Sequence, residues 1–513
     1  MIAEKNDNAS PEIIMADGDV GLEDLMAVSF EGRRVRLSTD AAWLDKLQRS
    51  RSALEQSLSA GERIYGVTTG VGHGSSRTID PEHTREFAYQ IIRQHGCGLG
   101  EVFSEEEGRA IIFARLASLA KGYSAVRPSL LEALCQLLNR GVIPVIPSLG
   151  SVGASGDLTP LSYLAAVLAG EREVYYQGEV LPADAALRRA GLKAHDFVPK
   201  ESLAIMNGTS VMAAIGIISA MRFGRTLTEC ERATALAAEV LLGRSQAFHP
   251  TAHRLKHHPG QIWAAAAIRS AFAESRLVDS AREKGRIVQD PYSLRCAPHV
   301  IGAARDALAW AKEVLRRELN SVNDNPIVDP EGPETIFAGN FYGGHVALAM
   351  DLVKTAGASV ADLLDRQYAL LVDSRLNSGL PETLVAYDGC GLKALQLTCS
   401  ALTARAVQRA APDTVLSRTT EAHNQDKVSM GLHAALNAAE IITLLQQVLA
   451  AELIALSNAA ALRNEEMLSP AGKRFLDRVR RLSPVLEKDR RLDRDLEGLS
   501  QAIDRGRIWV EPC

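Results

Sequence analysis

The sequence predicts a mainly α-helical protein built around a bundle of long helices. Three observations lead there. Aromatic residues are only 5% of the 513-residue chain while alanine and leucine abound, which favours helix over sheet. Four segments, 211–242, 303–319, 345–372 and 429–456, carry helical patterning, and a run of roughly thirty residues spans about 45 Å at 1.5 Å per residue. These segments are apolar on more than one face, so they belong inside a bundle rather than on a surface.

The remaining elements follow in chain order. Residues 38–61 begin with cap-type side chains and stop at Gly61, with Leu44, Leu47, Leu54 and Leu58 on one helical face. Tyr65 to Ser76 has glycine at 66, 70, 72 and 74 and reads as a loop. Helical patterns resume over about 81–141. Residues 173–181 alternate around Gln177-Gly178 as a small hairpin. In chain order this suggests a disordered tail over 1–12, an N-terminal part over 13–210 and a long-helix bundle with a C-terminal region over 211–513.

Composition excludes several function classes. Hydrophobic residues are 46% and charged residues 23%, as in a soluble globular protein, and a net charge of −5 offers no basic footprint for nucleic acid. The seven cysteines include no C-x-x-C pair, which reads as a reducing cytosol without structural zinc or disulfides. The N-terminus lacks the apolar core of a signal peptide, so a cytoplasmic protein is expected. Residues 203–221 approach the length of a membrane span, but Asn207, Gly208, Thr209 and Ser210 interrupt them. A buried helix after that polar turn is the better reading, and no membrane partner is expected.

The most informative stretch is "SLGSVGASGDLTPLSYLAAVLAG", Ser148 to Gly170. A serine nucleophile elbow needs G-x-S-x-G between strand and helix. Here the second glycine comes one place early, and alternating strands and helices are missing around it. Thr159 is a suitable N-cap, Pro160 suits the first helical position, and Gly170 ends the helix. Ala154-Ser155-Gly156 therefore precedes a helix N-terminus, where free N–H groups favour developing negative charge. His249, His253, His257 and His258 form a histidine-rich stretch. His253 and His257 are four apart, but no Glu follows His253 and prolines bound the segment, so a solvated turn without metal is expected.

The string "GSVGASGDLTPLS" resembles the signature of the aromatic amino acid ammonia-lyases and aminomutases. Further strings of that family follow in order: "IYGVTTGVG", "MNGTSVM", "QDPYSLRC", "LNSVNDNPIV", "GNFYGG" and "HNQDKVSMG". The resemblance implies a helical bundle, a homotetramer with active sites shared between chains, and a small aromatic amino acid as substrate. It also implies that Ala154, Ser155 and Gly156 condense into 4-methylideneimidazol-5-one (MIO), an electrophile made from backbone, with no metal. In that family the Gly nitrogen attacks the Ala carbonyl and the Ser loses water. Small residues permit the tight turn that this requires.

The same resemblance assigns roles. Tyr65 would be the base for a weakly acidic Cβ proton, its pKa tuned by positive potential from helix ends and neighbours. Arg295 would grip the substrate carboxylate in a bidentate fork. Asn207 and Tyr292 would hydrogen-bond around the electrophile and the amine, Phe341 would pack beneath, and Gln289, Asn424 and Gln425 complete the set.

Substrate choice turns on His95 and Gln425. His95 stands where the family places a selectivity residue, and Gln425 stands where histidine-specific members carry a glutamate facing the imidazole. A neutral amide cannot pair with imidazolium. The expectation is therefore deamination of L-tyrosine to 4-coumarate, with His95 on the phenol. The alternatives are histidine ammonia-lyase activity, giving urocanate, and a 2,3-aminomutase, giving a β-amino acid.

Overall fold

The computed structural model describes residues 12–281, 288–332 and 334–506. Nearly all of the tail expected over 1–12, and Cys513, lie outside them. Helix takes up 60% of the structure and strand 7%, a mainly α architecture. Two compact units are present. The first gathers the described residues up to Ile218, then Glu313–Ala349 and Pro412–Leu436. The second gathers Ser219–Lys312, Met350–Ala411 and the described residues from Asn437 onward. The first unit thus keeps the stretch 13–210 whole and adds two later segments, bringing strings far apart in sequence into one place.

In the first unit the helix Glu105–Leu119 is central. Ser104 and Glu107 form a capping box at its start, and every residue from Ala110 to Leu119 is buried. Pro128–Arg140 packs beside it, opened by Pro128 and closed by Gly141. Small sheets sit around these helices. Glu173–Tyr176 and Glu179–Pro182 form the expected hairpin, and Ile143–Pro144 adds a third strand. Ala41–Ser59 is the first long helix, its N-cap Asp40 accepting the Trp43 N–H at 2.9 Å. Leu47 and Leu54 are buried as expected, but Leu44 is 37% exposed, so the apolar face is narrower than the leucines alone suggest.

The second unit takes most of the length of the four long helices, Ser210–Val240, Ala297–Leu319, Gly344–Val372 and Gly431–Ala461. Ala297–Leu319 starts six residues earlier than its sequence pattern, because Ala297 and Ile301 continue the buried stripe. Gly431–Ala461 is the one helix among the described residues long and apolar enough to cross a membrane. With 72% of its most apolar window buried, it reads as a core helix. The membrane-like stretch 203–221 is broken where its polar residues stand: Glu201–Met206 ends, a turn follows, and Ser210 starts the next helix.

Two local expectations are corrected. The helix after Ala154-Ser155-Gly156 is Leu158–Leu168, with Asp157 rather than Thr159 at the N-cap position. Thr159 lies inside the first turn, because the Asp157 N–H is drawn onto the Gly208 carbonyl at 2.7 Å and fixes the chain direction two residues early. His253 is not on a solvated turn. It is buried, bonded through Nε2 to the Ala247 carbonyl at 3.0 Å and through Nδ1 to Gln261 at 2.9 Å, while His257 and His258 are exposed. Both ring nitrogens of His253 are therefore engaged structurally.

Leu445, Leu449 and Leu453 lie on Gly431–Ala461 with no exposed surface. Leu445→Ala is expected to cost ~2–5 kcal/mol through lost burial and a cavity. The denaturation midpoint in urea measures this; an unchanged midpoint contradicts the placement of Leu445 in the core.

Candidate active site

The Ala154-Ser155-Gly156 segment is pressed onto the turn Asn207-Gly208. Ser155 is held at φ 55°, a left-handed conformation that costs a residue with a Cβ about 1–2 kcal/mol. Surrounding bonds enforce it. The Ser155 carbonyl accepts the Asn207 Nδ2–H at 3.0 Å and the Gly208 N–H at 3.3 Å. Gly156 has φ 73°, and a Cβ there would overlap the Gly208 carbonyl; a Cβ on Gly208 would collide with the Arg115 guanidinium. Only glycine fits at either position. Asn207 is 2% exposed, and its Oδ1 has no hydrogen-bond partner. A buried, unpaired acceptor beside a strained serine is costly for stability, and such strain clusters at active sites.

Asp157 follows immediately and is fully buried. Its Oδ2 accepts the Met212 N–H at 2.8 Å, and its Oδ1 lies 3.0 Å from the Ser151 hydroxyl. Ser151 Oγ is also 3.2 Å from the Gly156 carbonyl and accepts the Gly153 N–H. One hydroxyl hydrogen cannot serve both oxygens, so a proton on Asp157 that donates to Ser151 completes the network. Consistently, burial pushes the Asp157 carboxyl up to about 7 against the hydrogen bonds from Met212 and Ser151.

In front of this segment lies a cavity of about 340 Å³. Of the residues singled out in sequence, Tyr65, Ala154, Ser155, Phe341, Asn424 and Gln425 line it, together with Phe337, Tyr342 and Lys427. Gln425 donates from Nε2 to Ser155 Oγ at 3.2 Å and accepts from Thr420 Oγ1 at 2.7 Å. The Tyr65 hydroxyl accepts the Gly72 N–H at 2.8 Å. The expected lowering of its pKa is not supplied by this chain. Burial pushes the phenol up, the Gly72 N–H works against that, and the nearby Glu421 carboxylate adds to the rise. Glu421, which sequence reading missed, is also bonded to His73 Nδ1 at 3.0 Å. Its only signal in the sequence is its place four residues before Gln425.

The other expected residues do not line this cavity. His95 caps the helix Thr84–Gln94, its Nδ1 2.9 Å from the Ile91 carbonyl. Gln289, Tyr292 and Arg295 belong to the second unit. There the Arg295 guanidinium stacks 4.4 Å over the Tyr292 ring, and Tyr292 is 70% exposed. Among the described residues no group of three or more His, Cys, Asp or Glu could hold a metal ion.

The raised Asp157 pKa has a sign for stability. The folded state favours the protonated acid, so this contribution is complete below the unfolded value near 4 and is lost as pH rises through about 7. Asp157→Asn, which keeps the Met212 bond and donates to Ser151, should lack that component. Its thermal midpoint should fall less than wild type between pH 5 and 8; identical falls in both proteins contradict the assignment.

Residues 20–481 match the family described as aromatic amino acid lyase. The chain is 39% identical over 498 residues to histidine ammonia-lyase of Gloeobacter violaceus, covering 96% of each. In structure it resembles tyrosine aminomutase of Streptomyces globisporus, with TM-score 0.93, 36% identity, and 97% and 98% of the two chains covered. It also resembles phenylalanine aminomutase of Pantoea agglomerans, with TM-score 0.93, 30% identity, and 98% and 100% covered. With the Ala-Ser-Gly turn, the cavity before it and these likenesses together, the chain belongs to the aromatic amino acid lyase family of carbon–nitrogen lyases.

Proposed function

We propose that this protein eliminates ammonia from an aromatic L-amino acid, with L-tyrosine giving 4-coumarate as the favoured reaction. The observation that carries the reading is the clamp on Ala154-Ser155-Gly156. A left-handed serine between small residues, a glycine with no room for a Cβ, and a buried amide donating to the serine carbonyl fit a segment that closes on itself. We assign MIO to these three residues. When formed, it supplies an electrophile that makes the substrate amine a leaving group.

The chain's own side chains supply the rest. Tyr65, at the cavity wall, would accept the Cβ proton, and its raised pKa calls for a positive group; Lys427 lines the same cavity but is not among the groups that shift the phenol. Phe337, Phe341 and Tyr342 offer an aromatic wall for the substrate ring. Asn207, through Nδ2, holds the serine carbonyl. Arg295 is proposed as the carboxylate anchor and Tyr292 as a hydrogen-bonding partner. Both would reach a site from another chain of a homotetramer, with Gln289 beside them. Apolar side chains exposed on helices support assembly: Leu348 is 55% exposed and Leu397 69%. A cytoplasmic setting is part of the same proposal.

Tyrosine is preferred over histidine because Gln425, spent on Ser155 and Thr420, offers no carboxylate to an imidazole. Likeness to histidine ammonia-lyases favours the second reading, urocanate formation. Likeness to aminomutases leaves a β-amino acid product as the third. A substrate panel followed by ultraviolet absorbance separates the first two, and chromatography for a β-amino acid detects the third.

His95 does not line the cavity within the single chain, so its contact with the phenol rests on the family resemblance; if it holds the phenol, His95→Phe leaves the tyrosine hydroxyl buried without a partner at ~1–3 kcal/mol. The kcat/KM for tyrosine should fall and that for phenylalanine rise. Conversion of histidine to urocanate by wild type, with tyrosine ignored, overturns the tyrosine assignment and leaves the family intact.

A further inference from the structure

Behind the Asn207-Gly208 turn sits a group that the reaction scheme above does not use. Arg115, from the middle of Glu105–Leu119, is fully buried. Its NH1 donates to the Asn207 carbonyl at 3.1 Å and to Asn323 Oδ1 at 2.9 Å, and its NH2 donates to Ser118 Oγ at 3.0 Å. All three acceptors are neutral. Burying a guanidinium without a bonded carboxylate is costly, and a chain that served packing alone would place an apolar side chain there. Of the two buried acids that act on Arg115 through space, Asp324 and Asp157, Asp324 is already bonded to Lys200 Nζ at 2.6 Å and to Ser124 at 2.9 Å.

The direction of the bonds shows what the charge can do. The Asn207 carbonyl and the Gly208 N–H are the two ends of one peptide group. Arg115 donates to the first, and the second donates to the Ser155 carbonyl. Hydrogen bonds in series polarise one another, more so in a buried setting of low dielectric. We propose that Arg115 is a positioning residue for the electrophile: acting through the Asn207-Gly208 peptide, it polarises the Ser155 carbonyl and promotes the dehydration of Ser155. This inference rests on the proposed function.

Dehydration removes the Ser155 Cα proton and the Cβ hydroxyl together as one water. The Cα–H electron pair becomes the Cα=Cβ π bond, and the C–O pair leaves with oxygen. As the Cα proton departs, negative charge moves onto the Ser155 carbonyl oxygen, where the Asn207 and Gly208 donors meet it. A fixed cation one peptide away lowers the energy of that charge. Although burial lowers the Arg115 pKa to about 10, the group stays charged at neutral pH.

Two variants of the full chain test this, Arg115→Lys and Arg115→Gln, purified as soluble protein beside wild type. Intact mass reads the waters lost, and ammonia release reads kcat and KM. Arg115→Lys keeps the charge and should show the wild-type mass and most of the wild-type kcat. Arg115→Gln should contain chains that have not lost both waters. Its fully dehydrated fraction should show a kcat about tenfold lower at unchanged KM, less than the 10²–10³ typical of losing a direct oxyanion donor. Full dehydration with wild-type kcat in Arg115→Gln overturns the proposal. If Arg115→Gln is insoluble, Arg115→Lys decides: incomplete dehydration despite the retained charge overturns the proposal, and a wild-type mass with retained kcat supports it. If wild type itself keeps its full mass and releases no ammonia, the proposed function has failed and this inference falls with it. A normal wild type with an indifferent Arg115→Gln removes this inference alone.

Discussion

The close approach of two backbone segments, Ser155-Gly156 and Asn207-Gly208, is the constraint on which the site depends. Two glycines make the arrangement possible, since a Cβ on Gly156 would overlap the Gly208 carbonyl and one on Gly208 would overlap Arg115 and Asn323 behind it. Three hydrogen bonds then lock it: Asn207 Nδ2–H and Gly208 N–H to the Ser155 carbonyl, and Asp157 N–H to the Gly208 carbonyl. The strained serine follows from this contact. So does the start of the helix Leu158–Leu168 at Asp157, and so does the position of Ser155 facing the cavity with Tyr65 and Gln425. Local strain of this kind persists only where the surroundings over-determine it.

Buried ionisable groups surround the contact on its protein side. Arg115 lies under the Asn207 carbonyl, and Lys200 and Asp324 form an ion pair with no exposed surface. Asp157 carries a carboxyl displaced upward by burial. Such groups are costly to fold around, and apolar replacements would often stabilise a protein more. Their concentration behind one strained turn links the energetics of the fold to the chemistry on its other face.

Much of this site was legible in sequence because the family strings are local. Ala154, Ser155 and Gly156 sit in one string, Asn207 in another, Tyr65 in a third, and each string carries its own turn chemistry. The long helices were legible for a similar reason, since their apolar patterning spans many turns, although their ends shift by several residues where tertiary packing extends a buried stripe. What escaped was set by contacts between strings. Arg115 reads as an ordinary helical arginine, because nothing within Glu105–Leu119 reveals the turn it supports. Glu421 acts on Tyr65 across more than three hundred residues of chain. The N-cap at Asp157 and the burial of His253 depend on partners outside their own segments.

The proposal that this clamp converts three backbone residues into an electrophile is open to direct test. The tryptic peptide Gly141–Arg172, which contains no internal Lys or Arg, isolates them. Tandem mass spectrometry of that peptide from active protein tests the claim most directly. The expected mass is two waters below that of the unmodified sequence, with the deficit confined to Ala154-Ser155-Gly156. An active protein whose peptide carries the full mass, or whose deficit lies elsewhere, contradicts it.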